Sequence, residues 1–171
     1  MESPNLSPAK FSVNYGLILG LLMTVIHVFM YASGMMLEGK QWPQFMYYLL
    51  FPILIIYAVS QFKKKNANLL SLSQAIKIGL VASIISALVY SVYSLIFHYV
   101  IDPEFVNKLM EVTREKMMEN PNMTEETVDQ SMQFAEKFMN PFFGVTFWIA
   151  LSAIFGLIYS LIGGLIMKNE Q

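Results

Sequence analysis

Four stretches of the sequence contain no Asp, Glu, Lys or Arg and consist almost entirely of apolar side chains. They cover residues 11–33, 45–62, 78–101 and 142–167. Helices of these lengths, at about 1.5 Å of rise per residue, would reach roughly 27 to 39 Å, enough to cross a hydrocarbon core about 30 Å thick. With 56% hydrophobic and only 13% charged residues, the sequence predicts an all-α, polytopic membrane protein with four transmembrane helices.

The distribution of lysine between the four spans predicts how the chain is oriented. The loop between the second and third spans carries Lys63, Lys64, Lys65 and Lys77 without any acidic residue. Short loops rich in lysine stay in the cytoplasm, and an even number of spans places both chain ends on the side of this loop. We therefore expect both termini in the cytoplasm and the long segment between the third and fourth spans outside.

That segment, residues 102–140, is predicted to form an extramembrane helical hairpin within a single membrane domain, 1–171. Asp102 is a favourable N-cap with Pro103 at the first helical position, and Thr124 is a favourable N-cap for a second helix. Nine acidic residues against four basic ones disfavour helices that lie on anionic lipid. We expect two apolar stripes to contact each other and the bundle, namely Phe105, Leu109 and Val112, and Val128, Met132 and Ala135.

Small residues recur at four-residue spacing in two of the spans, where they let helix backbones approach closely. The first span has Gly16 and Gly20, and the fourth has a longer series. The members of this series are Ser152, Gly156, Ser160 and Gly164. We expect both stripes to pack inside the bundle, and assembly of a homo-oligomer through them is the alternative.

A few polar side chains inside the spans are the candidate functional residues. His27 in the first span and His98 in the third are expected at similar depth, because these two helices run parallel. Two imidazoles could share a metal ion or relay protons, although hydrogen-bonded structural histidines are the favoured interpretation. The third span also aligns Ser83, Ser86 and Tyr90, which could line a pore.

The sequence contains no pattern that specifies a reaction. There is no cysteine, no HExxH, no G-x-S-x-G and no glycine-rich phosphate loop. We therefore predict no catalytic residue, no metal-ligand set and no cofactor. A net charge of −1 also gives no reason to expect a nucleic-acid partner.

Short segments along nearly the whole chain resemble a known family. They are Lys10-Phe11 through Asn14-Tyr15-Gly16, Leu72-Ser73-Gln74-Ala75, Ile101-Asp102-Pro103-Glu104-Phe105, Met123-Thr124-Glu125-Glu126 and Leu161-Ile162-Gly163-Gly164. In these segments the chain is similar to the bacterial membrane proteins catalogued as domain of unknown function family 4199. The resemblance implies a four-helix protein of the bacterial inner membrane, with no established activity and no catalytic residues to transfer.

Three functions are compatible with these features. The first is a non-enzymatic integral membrane protein whose external insert contacts a partner protein, membrane lipid or a neighbouring subunit. The second is a small transporter or channel that works as an oligomer, since four short spans rarely enclose a pathway alone. The third is a membrane enzyme that uses His27 and His98.

Orientation can be tested directly because the chain has no native cysteine. A cysteine replacing Asn122 should react with a membrane-impermeant maleimide added to spheroplasts, because the insert is expected outside. A cysteine replacing Asn66 should react only after the membrane is permeabilised. The reverse pattern would show an inverted topology, and labelling of both positions in intact spheroplasts would require a different number of spans.

Overall fold

The computed structural model of the chain describes residues 6–40 and 42–169, so parts of the predicted domain 1–171, residues 1–5, 41 and 170–171, lie outside the described residues. In chain order the helices are α1 (Pro8–Ala32), α2 (Met35–Glu38), α3 (Trp42–Lys65), α4 (Leu72–Ile96), α5 (Phe105–Met118), α6 (Glu125–Met139) and α7 (Pro141–Met167), and a π-helical turn (Phe97–Ile101) extends α4. The described residues contain no strand. Helices α1, α3, extended α4 and α7 are long and apolar enough to cross a membrane. The predicted all-α class with four long apolar helices is confirmed.

Side-chain caps determine where the later helices begin. Thr124 accepts a hydrogen bond from the amide of Thr127 at the start of α6, as predicted. The Asn140 side chain accepts hydrogen bonds from the amides two and three positions ahead, and Pro141 occupies the first turn of α7. Proline suits this position because its missing amide would have no partner inside the helix. The pair Asn140-Pro141 therefore ends α6 and starts α7.

Helix α4 packs against α7 through small residues on both helices. A β-carbon added at Gly156 would lie 2.6 Å from the β-carbon of Ser83 and 2.8 Å from the carbonyl oxygen of Gly79. One added at Gly79 would collide with Ser160. The buried small residues of α7 are Ser152, Gly156, Ser160, Gly163 and Gly164. The two backbones are therefore close enough to leave no space for larger side chains.

The opposite face of α4 packs against α1 in the same way. A β-carbon added at Gly16 would lie 2.6 Å from the carbonyl oxygen of Ala82, and one added at Gly20 would lie 2.8 Å from that of Ser86. Helix α4 is thus the central helix, held between α1 and α7. The glycines of α1 thus lie at a helix contact within the bundle, as predicted for internal packing.

Helix α3 packs through large side chains. Tyr47, Ile55 and Phe62 are each at most 2% exposed, and α3 contacts α1, α4 and α7. Pro52 lies inside α3 without ending it. The α3 side chains therefore fill the space beside the closely packed α1, α4 and α7.

Both described chain ends lie with the lysine-rich loop at one end of the bundle, which we call the lysine end. Leu70, in the loop between α3 and α4, exchanges two backbone hydrogen bonds of 3.0 Å with Asn169. The ammonium of Lys65 lies 5.6 Å from the centre of the Phe11 ring near the start of α1. The opposite end carries α2, α5 and α6, and we call it the insert end.

Helices α5 and α6 contact each other at the insert end. Arg114 of α5 forms an ion pair with Asp129 of α6, with 2.6 Å between nitrogen and oxygen. Phe105 of α5 is 3% exposed, and Val128 and Met132 of α6 are 0% and 8% exposed. Of the two predicted apolar stripes, these three residues are buried, whereas Leu109, Val112 and Ala135 are partly exposed.

The start of α5 differs from the sequence prediction. The helix begins at Phe105, and Pro103 precedes it instead of occupying its first position. The Asp102 carboxylate accepts hydrogen bonds from the Tyr31 hydroxyl at 3.0 Å and from the Lys108 ammonium at 3.1 Å. The carboxylate therefore links α1 to α5, and Glu104 occupies the N-cap position of α5 without a side-chain capping hydrogen bond.

Replacing Gly156 with alanine should destabilise the protein, because the new methyl group would overlap Ser83 and force α4 and α7 apart. Overpacking of this kind typically costs about 1 to 3 kcal/mol. Gly144→Ala is the matched control on the same helix, since its added β-carbon would meet only the Phe138 carbonyl oxygen at 3.8 Å. Thermal unfolding in detergent should show a lower midpoint for Gly156→Ala alone. Equal midpoints for both variants would contradict the close α4–α7 contact.

Candidate functional site

A cavity of about 450 Å3 lies at the insert end of the bundle, and we call it the histidine cavity. Residues of α1, α4 and α7 line it together with residues of α5 and the end of α6. The polar side chains in its lining are His27, Tyr90, Ser94, His98 and Asn140, and the remaining lining is largely apolar. The structure therefore brings the two candidate histidines and Tyr90 to the same cavity.

His27 is held by a hydrogen bond and by three aromatic rings. Its Nδ1 lies 2.9 Å from the Tyr93 hydroxyl of α4. Its ring meets those of Tyr90, Tyr93 and Phe97 edge to face, with centroid distances of 6.0, 5.3 and 4.8 Å. Because Nδ1 is engaged with Tyr93, Nε2 is the nitrogen that is left for another partner.

His98 lies in the π-helical turn that extends α4. The turn is closed by a hydrogen bond of 2.9 Å from the Asp102 amide to the Phe97 carbonyl oxygen, five residues earlier. The His98 ring contacts the Phe97 ring at 5.1 Å, and its Nδ1 is buried without a hydrogen-bond partner. Single π-helical turns are rare and occur frequently at functional sites, because the extra residue changes the direction of nearby side chains.

The two candidate serines are placed elsewhere, at contacts between helices. Ser83 is fully buried against Gly156, and its hydroxyl has no hydrogen-bond partner. Ser86 is 1% exposed, and its hydroxyl lies 3.4 Å from the Tyr47 hydroxyl. Their small size at a close helix contact accounts for their presence in α4.

A polar cluster of Tyr31, Asp102 and Lys108 joins α1, the end of α4 and α5 beside the cavity. The side chain of Asp102 is only 12% exposed. Its hydrogen bond to the Lys108 ammonium, supported by the Tyr31 hydroxyl, holds the pKa of this carboxyl below its usual value. The cluster ties the first turn of α5 to two helices of the bundle and so fixes one wall of the cavity.

The lining of the histidine cavity limits the chemistry that it can support. It includes no Asp or Glu side chain that could orient an imidazole for acid–base catalysis. Nowhere in residues 6–40 and 42–169 do three His, Cys, Asp or Glu side chains form a group that could hold a metal ion.

Several lining residues were not identified from the sequence. Met23 and Met30 of the cavity wall have no separate signal in the hydropathy pattern, and neither does Tyr93, which does not line the cavity but hydrogen-bonds His27. A signal was present, because Met23, His27 and Met30 are spaced by four and three positions and so share one helix face.

The fold is that of a multi-pass membrane protein. It consists of a bundle of four long apolar helices with shorter helices at one end. The chain belongs to the family described as "Protein of unknown function (DUF4199)", whose model matches residues 14–169. No curated protein and no solved structure matches the chain. The family assignment agrees with the resemblance seen in the sequence and assigns no activity.

The Asp102 cluster should make stability depend on pH in a specific range. The pKa of Asp102 is lower in the folded chain than the usual value of about 3.9, so its contribution is complete above that pH and is lost as the pH falls through the folded value. Asp102→Asn should therefore lower the melting temperature at pH 6, and the difference from wild type should shrink below about pH 4. A difference that stays constant from pH 6 to pH 3 would contradict this role. Tyr31→Phe, which leaves Lys108 in place, should show the same trend more weakly.

Proposed function

We propose that this chain is a non-enzymatic binding protein of the bacterial inner membrane, in which α5 and α6 form an extracytoplasmic hairpin over a ligand cavity. The observation that carries the proposal is the histidine cavity. Its volume of about 450 Å3 falls among small-ligand sites, which measure about 300 to 1,000 Å3. Like those sites, it combines apolar walls with a few polar side chains.

The charge distribution supports an outside location for the insert. The lysine end carries Lys63, Lys64 and Lys65, whereas the insert has nine acidic residues and four basic ones. Positively charged loops stay in the cytoplasm. The lysine end and both chain ends then face the cytoplasm, and the histidine cavity lies near the outer surface.

Specific contacts support a folded hairpin rather than a loose loop. The Arg114–Asp129 ion pair joins α5 to α6, and the Lys116 ammonium donates to the Leu37 carbonyl oxygen at 3.1 Å. Short helices are marginal alone in water, so burial of Val128 between neighbours is what stabilises α6. These contacts keep the hairpin over the cavity.

A row of exposed aromatic rings supports membrane lipid as one partner. Successive centroid distances are 4.6 Å from Phe134 to Phe138, 5.1 Å from Phe138 to Phe143 and 6.3 Å from Phe143 to Phe147. All four side chains are at least 44% exposed. The row continues onto apolar α7, and a contiguous apolar surface of this kind needs apolar surroundings. We therefore place the junction of α6 and α7 at the outer membrane interface.

The packing of the bundle favours binding over conduction. Ser83 and Ser86, which could have lined a pore, are closed inside helix contacts. Leu19 and Ala82 are both 0% exposed, and they belong to the same core cluster as Met23. The cavity wall at Met23 thus borders closely packed side chains toward the centre of the bundle.

Cysteine accessibility tests the position of the cavity. Ser94→Cys should react with a small, impermeant methanethiosulfonate reagent added to the outside of spheroplasts, because Ser94 lines the histidine cavity. Ser86→Cys is the matched control, since it makes the same substitution on the same helix at a position only 1% exposed. Reaction at 94 should be at least tenfold faster than at 86.

Each other outcome would contradict the proposal in a different way. Equal rates at both positions would indicate a path through the bundle and would favour the transporter. Reaction of position 94 only from the cytoplasmic side would invert the topology. No reaction at 94 from either side would show that the cavity does not admit ligands.

A further inference from the structure

We propose that the histidine cavity binds one copper(I) ion through the sulfurs of Met23 and Met30 and the imidazole of His27. This inference rests on the proposed function, because it names the ligand of the same cavity. It begins from a spacing that places a thioether on each side of an imidazole.

Met23, His27 and Met30 lie on one face of α1. Residues three or four positions apart on a helix are neighbours, with about 5 to 6 Å between their β-carbons. All three line the histidine cavity, and Met23 and Met30 are only 6% and 7% exposed. Two thioether side chains and one imidazole of the same helix therefore line the histidine cavity.

The donor types select a soft, singly charged ion. Thioethers are soft ligands that select Cu(I), and imidazole also binds copper. Hard cations require oxygen ligands, and the cavity lining offers no carboxylate. All three proposed ligands are neutral, and the cost of burying a charge is lower for a monovalent ion than for a divalent one.

The hydrogen bond to Tyr93 holds the His27 ring in one orientation and engages only its Nδ1. When its Nδ1 carries the proton and donates it to the Tyr93 oxygen, Nε2 has a free lone pair for the ion. Hydrogen bonds of this kind from a ligating imidazole fix the ring and its tautomer. Tyr93 is thus a positioning residue for the site.

Further donors lie along the route to the surface. His98, whose buried Nδ1 has no hydrogen-bond partner, lines the same cavity. Met36 and Met139 line both this cavity and a neighbouring one of about 490 Å3, which Met117 and Met123 also line. A soft ion could therefore pass from one thioether to the next before it reaches His27.

Methionine also packs well in irregular apolar spaces, which is the competing explanation for these residues. The two explanations differ for leucine substitutions. Leucine preserves apolar volume and usually changes stability little, but it removes the sulfur. A packing role would survive the change, whereas a ligand role would not.

Copper binding can be measured on the full chain in nanodiscs. Cu(I), kept reduced by ascorbate without oxygen, is titrated in competition with the chelator bicinchoninate, and silver(I) is used as a redox-inert probe in native mass spectrometry. We expect one ion per chain. The double variant Met23→Leu/Met30→Leu should bind at least about 100-fold more weakly, and Tyr93→Phe about 10- to 100-fold more weakly.

Met118→Leu is the matched control, because Met118 is 47% exposed on α5 and does not line the cavity. Its affinity should equal that of wild type. Absence of binding to the wild type, or equal affinity in the double variant, would overturn the proposal. If the double variant does not fold, X-ray absorption at the copper edge of the wild type decides the question, since a spectrum without sulfur neighbours overturns it. Labelling of Ser94→Cys from outside together with absent copper binding would reject copper alone and leave the ligand cavity standing.

Discussion

Close approach of three helix backbones along α4 is the constraint on which the rest of the molecule depends. Lipid offers little hydrophobic drive for helices to associate, so contact between backbones has to supply the attraction through close packing. Gly16 and Gly20 provide it on one side of α4, and Gly79 with Gly156 provides it on the other. Helix α3, which lacks such residues, is held by the large side chains that fill the remaining space. The cavity residues of α1, α4 and α7 are positioned by this core.

The shape of the insert end depends on the π-helical turn that extends α4 beyond its α-helical part. The π-helical turn carries the chain beyond Ile96 and places His98 and Asp102 beside α1. Asp102 then fixes the start of α5 through Tyr31 and Lys108. One local irregularity therefore positions both an imidazole of the cavity and the helix that covers it.

Local patterns in the sequence were enough for the long helices and for several of their ends. Charge-free runs identified the four apolar helices, and Thr124 was recognised as a cap because its partner amide is only three residues away. The role of Asp102 was predicted wrongly because its partner Tyr31 is 71 positions away in the chain. The sequence alone does not show that these two residues are close in space. Ser83 looked equally suited to a pore and to a helix contact, since only the position of α7 distinguishes them. Met23 and Met30 were overlooked because hydropathy counts methionine as apolar and ignores its sulfur.

The central place of α4 has a consequence for biosynthesis. Gly79 is inserted together with α4, yet its partner Gly156 follows 77 positions later in the chain. At about 5 to 20 residues per second, a ribosome needs roughly 4 to 15 seconds to reach that glycine. During this interval the face of α4 that packs against α7 has no partner helix. The contact between α4 and α7 can therefore form only after α7 has been synthesised, whereas the contact between α1 and α4 can form first.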